Sequence, residues 1–200
     1  MLVVPFLVPT GAGGQEPCSV RVRVANFLRY VDGGFYDGGA FHRTVHPDNQ
    51  PGDSVKISVI QGDIARDRRA DRFGAIDLER TRETGVRHVD GAISMARSGP
   101  DTGTSSFFVC LGDQPDLDYG GKRNPDGQGF AAFGLVVQGM DVVRAINRAP
   151  AEGQSLSPPI RILRIHRVQS REPWGFRRIL AVRPPDSQLV PESRQSQPPG

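Results

Sequence analysis

Two hundred residues with 37% hydrophobic side chains suit one domain with a core of its own, and 24 Gly with 17 Pro require many turns. No apolar run approaches the roughly 20 residues of a membrane span, and the composition is neither collagenous nor coiled-coil. The net charge of +3 is uneven: residues 161–200 hold eight Arg against Glu172, Asp186 and Glu192, so the basic balance belongs to the final strand and the tail and is a weak argument for nucleic-acid binding.

Met1–Pro9 is apolar, interrupted by Pro5 and without a basic leader, and it precedes the small residues of Thr10–Gly14. It reads as a short strand, with a degraded signal peptide as the alternative. Cys18 and Cys110 form neither a metal-ligand spacing nor a disulfide framework, which leaves the compartment open between cytoplasm and periplasm. From Val20 to Asp32, apolar Val20, Val24, Phe27, Leu28 and Val31 recur at helical spacing and Gly33-Gly34 supplies a stop. The Val/Arg alternation at its start also fits a strand, but the later positions fit only the helical period.

Phe41–Val45 and the cleanly alternating Val55–Gln61 predict strands. Gly62–Asp90 is charged and polar, an ordered excursion rather than a packed element. Ala92–Ala96, Ser106–Leu111 and Ala131–Val137 are apolar β-type runs. Met140–Asn147 reads as a short amphipathic helix with Val142, Val143 and Ile146 on one face, and Ile160–Val168 as the closing strand. Many short strands, Gly-rich turns and two helices predict a mainly-β barrel or sandwich with helical caps. From Ser170 onward six Pro with Ser, Gln and Arg predict a disordered tail over residues 170–200, apart from an apolar patch at Trp174–Val182.

The common enzyme constellations are absent: there is no phosphate-binding Gly-x4-Gly-Lys loop, no Gly-x-Ser-x-Gly elbow and no Cys-x-x-Cys. His42, His46, His88 and His166 are too scattered to suggest a metal site, and Asp116 and Asp118 read as turn residues rather than a catalytic pair. The informative segments are residues 34–43 (GFYDGGAFHR), 59–62 (VIQG), 91–100 (GAISMARSGP) running into 105–110 (SSFFVC), and 133–142 (FGLVVQGMDV). In that order they resemble the motifs of a cyclophilin-type peptidyl-prolyl cis-trans isomerase, and the insert at residues 117–133 resembles its bacterial branch. The resemblance covers about residues 20–169.

It implies a cyclophilin-like closed β-barrel of eight-stranded type capped by two α-helices, no cofactor, and proline-containing peptides and folding proteins as partners. By the same resemblance Arg43 is the catalytic donor, Phe108 the floor of a proline pocket completed by Leu117, and Gln61 the group that orients the substrate carbonyl and Arg43. Ala96 and Arg97 would offer backbone groups to an extended peptide, with Val59, Ser106 and Phe130 completing the binding surface. Phe107, on the other face of the same strand, is expected in the core. The chain departs from the family's usual pattern at Ser58, where an aromatic residue is common, at Ser106 (Gln), at Asp116 (Trp) and at Phe130 (His).

The family barrel opens with two strands ahead of its first helix, whereas residues 1–19 offer one short apolar run and a Gly-rich connector. The expectation is therefore an atypical N-terminal segment over 1–19, short of one or more strands, then an isomerase domain over 20–169. No membrane or nucleic-acid partner is expected, and the protein is expected to work as a monomer. The rival readings are a cyclophilin-like peptide-binding module of weak catalytic power and a nucleic-acid binder driven by its Arg-containing tail, the latter disfavoured because those Arg lack regular aromatic interleaving.

Overall fold

The computed structural model describes residues 21–168 together with residues 2–3, 178–179 and 181–182. In chain order the elements are β1 (Leu2–Val3), α1 (Arg21–Asp32), β2 (Ala40–Val45), β3 (Val59–Asp63), the single turn α2 (Thr81–Thr84), β4 (Ala92–Met95), β5 (Phe107–Cys110), β6 (Ala131–Leu135), α3 (Met140–Asn147), β7 (Ala151–Glu152), β8 (Ser155–Arg161), β9 (Arg167–Val168), β10 (Arg178–Ile179) and β11 (Ala181–Val182). Strands β2 to β8 form one antiparallel sheet in the order β6-β4-β5-β3-β2-β8-β7, while β1 pairs with β11 and β9 with β10. This is the mainly-β, helix-capped architecture expected. Of the N-terminal segment only Leu2–Val3 is described, and it pairs with Ala181–Val182 rather than joining the seven-stranded sheet; the rest of residues 1–19, and most of the tail expected to be disordered, lie outside the described residues.

The alternation of apolar residues along the strands sorts the sheet into two faces. Phe41, Ile60, Ile93, Phe107, Val109 and Phe133 enter the main core with Phe27 and Tyr30 of α1 and Val143 and Ile146 of α3. Phe107 is its hub, edge-on to Phe27 at 5.5 Å and to Tyr36 at 5.5 Å. Val45, Val59, Phe108, Cys110 and Leu117 form a second cluster on the opposite face. Burial also raises the Cys110 thiol pKa well above its ordinary value.

Helix α1 turns the expected apolar face inward, with Phe27 and Val31 in the core and Val24 and Leu28 packed against it, and buries two polar residues beside them. Arg23, Asn26, Phe27, Tyr30 and Val31 are buried, Val24 and Leu28 are half-buried, and Val22 is exposed. Two of the buried residues are polar because each has a fixed partner. Asn26 Nδ2 donates to the Thr104 carbonyl at 2.7 Å, and Arg23 lies 3.2 Å from Glu79. The helix stops as expected: Gly34 turns left-handed at φ +64, and the N–H of Phe35 donates back to the Tyr30 carbonyl at 3.0 Å.

Three segment expectations need correction. The strand expected over Val55–Gln61 begins only at Val59; ahead of it the Ser58 carbonyl still accepts from the Leu111 N–H, but side chains take the neighbouring backbone groups. Gln50 takes both backbone groups of Ile57, and Gln114 Oε1 accepts from the N–H of Ser58. The strand expected over Ile160–Val168 instead starts at Ser155 and ends at Arg161, where the Ile162 N–H donates to the Gly39 carbonyl. The excursion over residues 62–90 is ordered, as expected, but also packs: it begins inside β3, contains α2, buries Leu78, and sets the Phe73 ring tilted against Tyr30 at 4.7 Å.

Candidate active site

A bulge in β2 places Arg43. The pairing of β2 with both neighbours shifts register between Phe41 and Arg43, so Phe41 enters the main core while Arg43 stands opposite Gln61. Gln61 in turn stands opposite Phe108, and Phe108 opposite Ser94. One row across β2, β3, β5 and β4 thus carries a guanidinium, an amide, an aromatic ring and a hydroxyl.

Arg43 is half-buried and heavily bonded. Its Nη1 donates to Gln61 Oε1 at 3.0 Å, and its Nε and Nη2 donate to Gln154 Oε1 at 3.0 and 2.5 Å. Burial lowers its pKa and nearby Arg123 adds to the effect, against Asp53, yet a guanidinium stays charged in any protein environment. Gln61 cannot turn over: its Nε2 donates to Ser106 Oγ at 3.0 Å, so its oxygen faces Arg43, and Ser106 Oγ donates on to the Gly62 carbonyl at 3.2 Å.

Beside this polar end lies the apolar second cluster. Val59, Phe108 and Leu117 are almost wholly buried, while Ala96 and Phe130 are half-buried at its rim. Phe130 meets Phe108 edge-on at 5.3 Å. Underneath, the His88 ring stacks on Phe108 and uses both nitrogens, Nδ1 at 2.7 Å from Asp118 Oδ1 and Nε2 at 2.9 Å from Ser94 Oγ. Burial works against the charge on Asp118, but the side-chain and backbone hydrogen bonds of His88 outweigh it and hold the carboxyl below its usual range.

All nine residues singled out from the sequence line this one region. One backbone group among them is already engaged within the protein. The Ala96 N–H donates to the Ser106 carbonyl at 2.9 Å, so it is not free for a peptide. The Arg97 side chain is itself a strut: it grips Asp126 with two bonds of 2.7 and 2.9 Å, donates to the Gly129 carbonyl at 2.8 Å, and sits 5.0 Å from the Phe130 ring centre. Asp118 lies in a turn, as expected, and is also a buried partner of His88. Sequence reasoning missed Gln154, His88 and Asp118 as neighbours of the site. His88 and Asp118 are 30 positions apart and Gln154 is 111 from Arg43, so no local spacing could announce them.

The model of the cyclophilin type peptidyl-prolyl cis-trans isomerase/CLD family matches residues 19–167. The chain is 34% identical over 151 residues to peptidyl-prolyl cis-trans isomerase A of Dickeya dadantii, covering 73% of this chain and 72% of that protein. To a peptidyl-prolyl cis-trans isomerase of Acinetobacter baylyi it is 30% identical, covering 74% and 73%. Among solved structures, a cyclophilin type peptidyl-prolyl cis-trans isomerase of Cryptosporidium parvum shares the fold, with a TM-score of 0.55 at 17% identity over 92% of this chain and all of that one. A second structure of that protein, obtained in the presence of the dipeptide Ala-Pro, matches with a TM-score of 0.51 at 18% identity over 70% and 81%.

Proposed function

The chain belongs to the cyclophilin-type peptidyl-prolyl cis-trans isomerase family, and from that premise we propose that Arg43, Gln61 and the Phe108 pocket are where it turns an X-Pro bond. It is a peptidyl-prolyl cis-trans isomerase, and its partners are proline-containing peptides. Rotation about an amide is opposed by about 18–20 kcal/mol of lost resonance, and X-Pro bonds cross over in tens to hundreds of seconds unaided. No bond is made or broken. The enzyme must bind the twisted imide more tightly than either planar form.

The observation that carries the assignment is the row itself: a fixed cation beside an apolar seat. In the twisted state the imide nitrogen loses its conjugation and gains a lone pair. An N–H of Arg43 aimed at that lone pair stabilises the twisted state and is of little use to the planar one. The pyrrolidine ring, apolar and rigid, sits on Phe108 between Phe130 and the Leu117 side. Gln61 holds Arg43 in place and offers its polar edge to the substrate carbonyl.

The test is an isomerisation assay on a short X-Pro peptide with the wild type and Arg43→Ala. Activity is expected to fall at least about 100-fold in kcat/KM, or roughly 2.7 kcal/mol of transition-state stabilisation, with the fold retained and only a modest loss of stability from the bonds to Gln61 and Gln154. Retention of half the activity would remove Arg43 from the mechanism.

A further inference from the structure

Two bonds from Arg43 go to Gln154, away from the row of residues that faces it across the strands. Gln154 lies in the turn between β7 and β8, on an element the active-site motifs do not include. Its Oε1 accepts from Nε and Nη2 of Arg43 together, the paired edge of the guanidinium. Gln61 takes one N–H of Nη1 from a different strand. An arginine has five N–H groups, so the two amides leave one on Nη1 and one on Nη2. The plane of the guanidinium is set from two sides before any substrate arrives.

Gln154 is itself held at several points. Its Nε2 donates to the Asn49 carbonyl at 3.2 Å, and its own carbonyl accepts from the N–H of Thr44, next to Arg43, at 2.9 Å. Asn49 closes the circle, donating from Nδ2 to the carbonyls of Thr44 and Gly153, both at 3.0 Å. A carboxylate in this place would bind the same edge but neutralise the cation. The amide oxygen fixes direction and leaves the charge intact.

We propose that Gln154 is a positioning residue of the isomerase: it aims the free N–H groups of Arg43 at the imide nitrogen and does not touch the substrate. The proposal rests on the reading of Arg43 as the donor. Its consequence is specific. Removing the Gln154 oxygen should impair the twisted state, where aim matters, and spare ground-state binding, which the apolar seat provides.

The experiment uses the full chain with Gln154→Met, which keeps the side-chain length and loses the acceptor, alone and combined with Arg43→Ala. Exchange NMR of an X-Pro peptide at high enzyme concentration reads even weak catalysis. The single Met variant should lose about tenfold in kcat with KM within about twofold, and it should speed solvent exchange of the Arg43 Nε proton. In the Arg43→Ala background the same change should do nothing further. An unchanged kcat, or an equal loss in both backgrounds, overturns the proposal while leaving Arg43 in place. If Arg43→Ala alone retains its activity, the underlying reading fails instead, and the proposal with it. Gln154→Ala, which cannot crowd the turn, supplies the same readings if the Met variant does not fold.

Discussion

The imidazole of His88 lies nearly parallel to the Phe108 ring, 5.9 Å between centres and 14° between planes. Because both nitrogens of His88 are engaged, by Asp118 and Ser94, the ring cannot rotate, and Phe108 rests on a fixed support. His88→Ala would open space beneath the pocket and leave two buried oxygens short of a partner. A loss of about 2–4 kcal/mol is expected from the cavity and the unmade bonds together, read from denaturant unfolding, with a raised KM for X-Pro peptides. A variant as stable as the wild type would show that the stack supports nothing.

Arg97 makes a second support, through Phe130. Its side chain is almost fully buried, and its bonds to Asp126 and Gly129 hold the loop that ends in Phe130. Arg97→Ala should free that loop, loosen the edge-on contact of Phe130 with Phe108, and raise KM several-fold with a smaller change in kcat. Asp126→Ala, which leaves the Arg97 bond to Gly129 in place, should do the same to a lesser degree. A kcat effect larger than the KM effect would place Arg97 in the chemistry instead.

The comparison of sequence with structure has a physical pattern. Met140–Asn147 forms a helix with the bounds its periodicity indicated, and Phe107 and Phe108 fall on opposite faces because a strand alternates with period two. These features are local. What sequence could not supply is where side chains replace backbone partners. Gln50 and Gln114 take backbone groups of Ile57 and Ser58 ahead of β3, and Gln154 meets Arg43 only because β8 returns beside β2. The motifs point to the residues of the candidate site, while groups that hold those residues come from distant turns with no motif of their own.

Asp116 stands where many family members carry Trp. Here the residue is short and half-buried, its side chain accepts from the Lys122 N–H at 3.2 Å, and its carbonyl accepts from Arg123 at 3.1 Å. The rim of the pocket therefore lacks both a large apolar surface and an indole donor. Cyclic-peptide inhibitors that lean on that rim are expected to bind poorly, and Asp116→Trp should improve their inhibition at least tenfold while leaving turnover of a short peptide within a few-fold. Tight inhibition of the wild type would contradict the correspondence at this position.

The last prediction concerns acid. Asp118 is buried, and in the folded chain its carboxyl is held below the value of about 3.9 that an unfolded Asp shows, through its bonds with His88. A carboxylate with a depressed folded pKa contributes stability that is fully present above the unfolded pKa and is lost as pH falls through the folded one. A protonated Asp and an Asn are nearly the same shape. Wild type and Asp118→Asn should therefore differ most in unfolding free energy near neutrality, and the gap should narrow steadily as pH drops below about 4. Other acids held low in this fold, Glu83 and Asp126, titrate in the same range but do so in both proteins, so they cancel in the difference. Denaturant titrations of the pair at several pH values supply the measurement. A gap that stays constant with pH would mean that the His88–Asp118 contact does not depend on the carboxylate charge, and that the support beneath Phe108 is one of shape alone.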